Sequence, residues 1–226
     1  PVGNVTISGT VTFDKVPFSA AGNGGLDFAN TNGNAPVRGA TVQAVAATGQ
    51  TVLATTTTDA TGNYSLTVAG NTDLFIRVRA EMLRTGTPAW NFTVRDNTAT
   101  EALYTLDGPS SSSGTANSTR NLAARSGWTA GSGYTGTRAA APFAILDAVY
   151  QSFQLVLAAD ANATFPELRT FWSTRNIPCD PGANNFCDNS DAARARGEIG
   201  TTFFTPFTPD RIFVLGAAGN DTDEFD

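Results

Sequence analysis

Residues 4–13, Asn-Val-Thr-Ile-Ser-Gly-Thr-Val-Thr-Phe, alternate apolar and polar side chains with period two, and this pattern constrains the fold more than any other feature of the chain. Successive side chains of a strand point to opposite faces, so Val5, Ile7, Gly9, Val11 and Phe13 share one face of a half-buried strand. Further runs of strand character follow at 40–45, 51–58, 64–68, 74–79 and 90–94. Between two of them, Asp59-Ala-Thr-Gly62-Asn63 reads as a hairpin turn, because Asp accepts hydrogen bonds from its own backbone and Gly takes a positive φ at no steric cost. The Gly- and Asn-rich stretch 19–35 is too polar to pack a core and is expected on the surface as a loop.

The pattern then changes. Residues 108–119 are small and polar, as in a flexible linker or a loop, and a domain boundary is expected across 108–125. Over 139–160 the apolar positions Phe143, Leu146 and Phe153 recur at helical spacing, with Pro142 tolerated in the first turn. Strand candidates follow at 168–173, 200–205 and 211–215. The expected fold is therefore mainly β: a sandwich over 1–107, a Ser/Gly-rich linker over 108–125, and an α+β region over 126–226 with one long amphipathic helix and a small mixed sheet.

Composition narrows the function classes. The chain has 226 residues, a formal charge of −6 and a single lysine, Lys15. With no cluster of basic residues, nucleic acid is not an expected partner. No run of about 18 apolar residues occurs, so no transmembrane helix is expected. The start at Pro1, without an initiator Met or a leader, fits a processed mature terminus or a trimmed piece, and both fit export to the cell surface or medium. Cys179 and Cys187 flank a turn-rich segment and are read as a disulfide, with free thiols as the alternative; a disulfide would place the chain in an oxidising compartment. Asn-x-Ser/Thr triplets at Asn4, Asn63, Asn91, Asn117, Asn162 and Asn220 leave glycosylation open.

The chain contains no histidine. A zinc helix of the His-Glu-x-x-His type needs two imidazoles one turn apart, and a serine nucleophile needs a base, so neither chemistry has its groups here and no catalytic residue is assigned. Two oxygen-rich segments are candidate calcium sites: Asp180, Asp188 and Asp191 around the cysteines, and Asp221 and Asp223 in the acidic end. An ordinary turn and a solvated tail are the alternatives. Asp96, Asp107 and Asp147 would suit glycoside chemistry only if a pair were held in a cleft. Trp90, Trp128 and Trp172 are either a sugar-stacking platform or core residues.

Two resemblances follow from these residues. Ile7-Ser-Gly-Thr-Val11, Pro36-Val-Arg-Gly-Ala-Thr-Val42 and Thr58-Asp-Ala-Thr-Gly-Asn-Tyr-Ser-Leu66 resemble the carboxypeptidase regulatory-like domain, which implies a prealbumin-type sandwich that spaces or displays its neighbours. Ser126-Gly-Trp128, Arg138-Ala-Ala-Ala-Pro-Phe-Ala-Ile-Leu-Asp147, Phe165-Pro-Glu-Leu168, Trp172-Ser173, Ile212-Phe-Val-Leu-Gly216 and Asp221-Thr-Asp-Glu-Phe-Asp226 resemble the region before the zinc helix of secreted bacterial gluzincin-like metallopeptidases. The histidines and glutamate of that helix are absent, so no catalytic role carries over. Three functions are expected in turn: a secreted, non-catalytic structural or assembly protein that pairs with itself or with surface neighbours through edge strands, above all 4–13; the N-terminal part of a zinc metallopeptidase; and a surface module binding carbohydrate or protein.

Overall fold

The structure, a computed structural model, describes residues 3–19, 25–178, 190–218 and 222–225. Strands hold 43% of the residues and helices 14%, so the mainly-β expectation holds, together with its one long helix. The chain divides into two compact units, and it passes between them more than once: the first unit is Pro1–Arg79 with Thr105–Ala140, the second Ala80–Tyr104 with Ala141–Asp226.

The first unit opens with β1 (Asn4–Lys15), β2 (Asn32–Pro36), β3 (Thr41–Ala46), β4 (Val52–Thr57), β5 (Asn63–Ala69) and β6 (Asp73–Arg79). The chain then supplies β7 (Glu81–Arg84), β8 (Trp90–Asp96) and β9 (Ala102–Leu103) to the second unit. It returns with β10 (Thr105–Asp107), β11 (Ser111–Ser112), β12 (Ser118–Thr119), β13 (Leu122–Ala124), β14 (Trp128–Thr129) and β15 (Gly133–Tyr134). One sheet is built on β1, which pairs antiparallel with β5 and β2 and parallel with β12 and β13. The other runs β10-β6-β3-β4, with β11 also on β6. The alternation does what its period dictates: Val5, Ile7, Val11 and Phe13 are buried, as are Tyr64, Leu66 and Val68 of β5 and Leu74, Ile76 and Val78 of β6.

At Gly9 the chain returning through residues 118–124 crosses β1 at close range. Arg120 N donates to the Ser8 carbonyl at 2.7 Å and Thr10 N to Asn121 Oδ1 at 2.9 Å. The Tyr64 hydroxyl donates to the Arg120 carbonyl at 2.5 Å, and burial pushes its pKa up to about 12 against the opposing Arg120 charge, so it stays protonated and donating at neutral pH. The Arg120 guanidinium reaches the carbonyls of Leu74, Ser111 and Ser112. The 108–125 segment, expected as a linker, is thus part of the first unit. Its side chains carry little apolar surface, but its backbone groups are taken up by β1 and β6. The same logic corrects the loop at 19–35, whose later part forms β2 on β1; residues 20–24 lie outside the described residues.

The second unit adds α1 (Ala140–Ala159), which begins at the unit boundary, then β16 (Leu168–Trp172), α2 (Asp191–Arg196), β17 (Phe203–Thr205) and β18 (Asp210–Val214). Its mixed sheet runs β17-β18-β16-β8-β7, with β9 on β8, and the central strands β8, β16 and β18 are parallel. The 90–94 strand, expected in the sandwich, therefore belongs here: period two announces a strand but not which sheet receives it. One face carries Phe92, Val94, Trp172 and Val214, all buried. There Phe153 of α1 meets Trp90 at 4.6 Å and Phe92 at 5.5 Å. By length and composition α1 could span a bilayer, yet half of it is buried within the protein, as befits a core helix. On the opposite face Phe203, Phe213 and Phe171 stack in line at 5.2 and 4.9 Å.

A Cβ on residue 9 would stand 2.1 Å from the Arg120 carbonyl oxygen and 2.9 Å from the Tyr64 ring. Gly9→Ala is expected to cost about 1–3 kcal/mol, the usual range for overpacking a filled site. Urea denaturation measures it, and a variant as stable as the parent would contradict this packing.

Candidate functional site

The expected pairing strand, 4–13, is not an edge. Hydrogen-bonded neighbours flank β1 on both sides, with β5 and β2 along one and β12 and β13 along the other. The long outer strands of the first unit are β4 and β5, one in each sheet. They differ in what they show to solvent. The apolar side chains of β5 point inward, whereas Val52 and Leu53 of β4 are 47% and 42% exposed. An outer strand presents a row of N–H and C=O groups, and proteins blunt such edges with Lys, Pro or short length. Val-Leu-Ala-Thr-Thr-Thr has six residues and neither a charge nor a proline. Its register against β3 runs from Thr41↔Thr57 to Val45↔Val52, with an irregularity at Ala44/Val45, and among the described residues no strand is hydrogen-bonded to its other edge.

The turn that ends β4 is built as its sequence reads. Asp59 Oδ1 accepts from Thr61 N at 2.8 Å, Thr61 Oγ1 at 2.8 Å and Asn63 N at 2.9 Å. Gly62 takes φ +82°, and its carbonyl receives Val11 N at 2.8 Å. These bonds, led by the one from the Asn63 backbone, hold the Asp59 carboxyl below its ordinary pKa.

The other candidate residues do not converge. Cys179, Cys187, Asp180, Asp188 and Asp221 lie outside the described residues. Asp191 stands beside two guanidinium groups, Arg194 at 3.4 Å and Arg211 at 3.9 Å, which repel a divalent cation. Asp223 accepts a hydrogen bond from Thr202 Oγ1, and its N–H donates to the Leu215 carbonyl at 3.2 Å. Glu224 is 2% exposed, so this part of the acidic end is docked rather than solvated. Among the described residues no group of three or more Asp, Glu, Cys or His side chains could hold a metal. Asp96 accepts from Thr98, Asp107 from Arg77 and Asp147 from Gln151. Trp172 is buried, Trp90 packs on Phe153, and Trp128, 39% exposed, stacks face to face on Phe28 at 3.9 Å. Sequence reasoning missed a cleft of about 690 Å³ in the second unit, lined among others by Asn97, Arg194, Arg211, Phe171 and Phe213. These residues are far apart in sequence, and no local pattern announces them.

No protein-family model matches the chain, and no curated protein does either. Among solved structures, a 9R-lipoxygenase from Cyanothece PCC8801 aligns with 54% of this chain and 17% of its own length, at 11% identity and a TM-score of 0.28. At that score the likeness carries no argument about fold or function.

The Asp59 turn has a pH signature. Because its folded pKa lies below the unfolded value, about 3.9, its hydrogen bonds stabilise the protein above that value, and the contribution is lost as pH falls through the folded pKa. Asp59→Ala is expected to lower the melting temperature at neutral pH, with the gap to the parent closing at pH values below the Asp59 pKa; a gap independent of pH would contradict this role.

Proposed function

We propose that this protein is an extracellular, non-catalytic assembly protein that joins neighbouring chains by strand addition at β4. The observation that carries this reading is the outer edge of β4: six residues long, uncharged, free of proline and beginning with exposed Val52 and Leu53. Main-chain hydrogen bonds across such an edge supply affinity, and alternate side chains supply selectivity. Two copies of β4 placed antiparallel present the same surface to each other, the self-complementary arrangement of a two-fold interface. The sandwich then serves as a spacer, in keeping with its resemblance to carboxypeptidase regulatory-like domains, and the chain acts outside the cell.

A second reading, the N-terminal part of a zinc metallopeptidase-like protein, is favoured by the docked acidic segment. Asp223 is tied to Thr202 and Leu215, and Glu224 is buried, so the backbone there is anchored at a defined place in the second unit. Zinc does not fit this chain's own residues: it has no histidine, and its described residues offer no three-ligand group. Under this reading the unit is scaffold, and the metal chemistry belongs to residues beyond Asp226. Intact mass and peptide mapping of the protein from its native source test it. A His-Glu-x-x-His segment following Asp226 supports it, and a mass near 23.5 kDa removes it.

For the first reading, Thr55→Lys places a charge in the middle of β4, on an exposed position. Sedimentation velocity over a concentration series should show self-association of the parent and a monomeric variant with an unchanged melting temperature. A parent that stays monomeric at high concentration, or a variant that associates equally well, would overturn it.

A further inference from the structure

We propose that the cleft of the second unit binds the carboxyl-terminal residue of a peptide, its carboxylate between Arg194 and Arg211 and its amide N–H on Asn97. The parallel register of the sheet builds this place. Arg169 pairs with Arg211 and Phe171 with Phe213, so one face carries two guanidinium stems next to a floor of buried rings. The short helix α2 brings Arg194 over that floor, its guanidinium 5.3 Å from the Phe213 ring centre and 5.5 Å from that of Phe203. Asn97 follows the carboxyl end of β8 and donates to the Arg194 carbonyl at 2.6 Å, which fixes acceptor and donor sides of the cleft to one another.

Three polar atoms of the residues that line the cleft have no hydrogen-bond partner among the described residues: Nε of Arg194, Nε of Arg211 and Oδ1 of Asn97. Asn97 is only 6% exposed, and its amide nitrogen is already committed to Asn176 and Arg194, so its oxygen can only accept. A buried polar group left unpaired is costly, and a ligand that pairs it recovers that cost. The complement of two donor-only guanidinium edges and one acceptor-only oxygen is an oxyanion with an N–H on the neighbouring carbon. A peptide's last residue has that form, and planar guanidinium groups match a carboxylate in two-point contact. Asp191 shows that the space between the arginines takes a carboxylate oxygen: its Oδ1 lies 3.4 Å from one and 3.9 Å from the other. It is 84% exposed and held at long range, so it is a weak internal competitor that a ligand displaces. The remaining acid of the cleft, Glu101, is turned to Arg169 at 3.6 Å. This site is independent of the β4 edge and stands or falls separately.

Isothermal titration of the intact chain with N-acetylalanine, N-acetylalaninamide, galacturonate and inorganic phosphate tests the assignment. Saturable one-site binding of N-acetylalanine is expected, with the uncharged amide weaker by roughly tenfold or more, the scale of a lost charge-assisted hydrogen bond. Asp191→Asn removes the competitor at an exposed position and should tighten binding, whereas Arg211→Gln should weaken it by roughly tenfold or more. Equal affinity for acid and amide, preference for phosphate or galacturonate, or no effect of Asp191→Asn would each overturn the proposal. The Asp191 variant decides the matter even if Arg211→Gln fails to fold.

Discussion

The first unit depends on one long strand whose both edges are occupied. β1 holds β5 and β2 on one side and the returning segment with β12 and β13 on the other, and at Gly9 the Arg120 peptide approaches so closely that a side chain has no room. Tyr64 closes the junction through its hydroxyl, and Asp14, near the far end of β1, binds Arg125 at 3.0 Å and the Ser126 N–H at 2.8 Å. A strand enclosed in this way cannot also be an intermolecular edge. The open position passes to β4, the last strand of the facing sheet, which has no such partner among the described residues.

Where local chemistry decides structure, the sequence was a good guide. The alternation in β1, β5 and β6, the helical spacing of α1 and the Asp59 turn all follow from side-chain periodicity or from bonds within a few residues. What stayed hidden was pairing at a distance. Strand β8 looks the same whether it joins a sandwich or the second sheet, and only its parallel register with β16 distinguishes them. Residues 108–125 look like a linker because backbone groups, more than apolar side chains, bind them to β1 and β6; Gly108 N to the Ile76 carbonyl at 2.8 Å is one such bond. The arginine cleft was illegible for the same reason. Arg194 and Arg211 are brought together by a short helix and a strand, and Asn97 by the end of a third element.

The two proposed sites use different physics and lie in different units. At β4 the recognition elements are backbone groups, which read geometry and leave selectivity to a few Thr, Val and Leu side chains. In the cleft they are guanidinium and amide groups in partly buried surroundings, where charge-assisted bonds exceed their worth in water. Neither needs a catalytic group, which accords with a chain that contains no histidine. The acidic segment adds a third fixed point, since burial of Glu224 places the backbone near residue 224 firmly within the second unit.

Hydrogen–deuterium exchange of the intact protein, compared at low and high concentration, tests strand addition at β4 most directly. The amides of Val52–Thr57 should gain protection as concentration rises, while those of β1 are already protected at the lowest concentration. Unchanged exchange at β4, with new protection appearing on another surface, would contradict it.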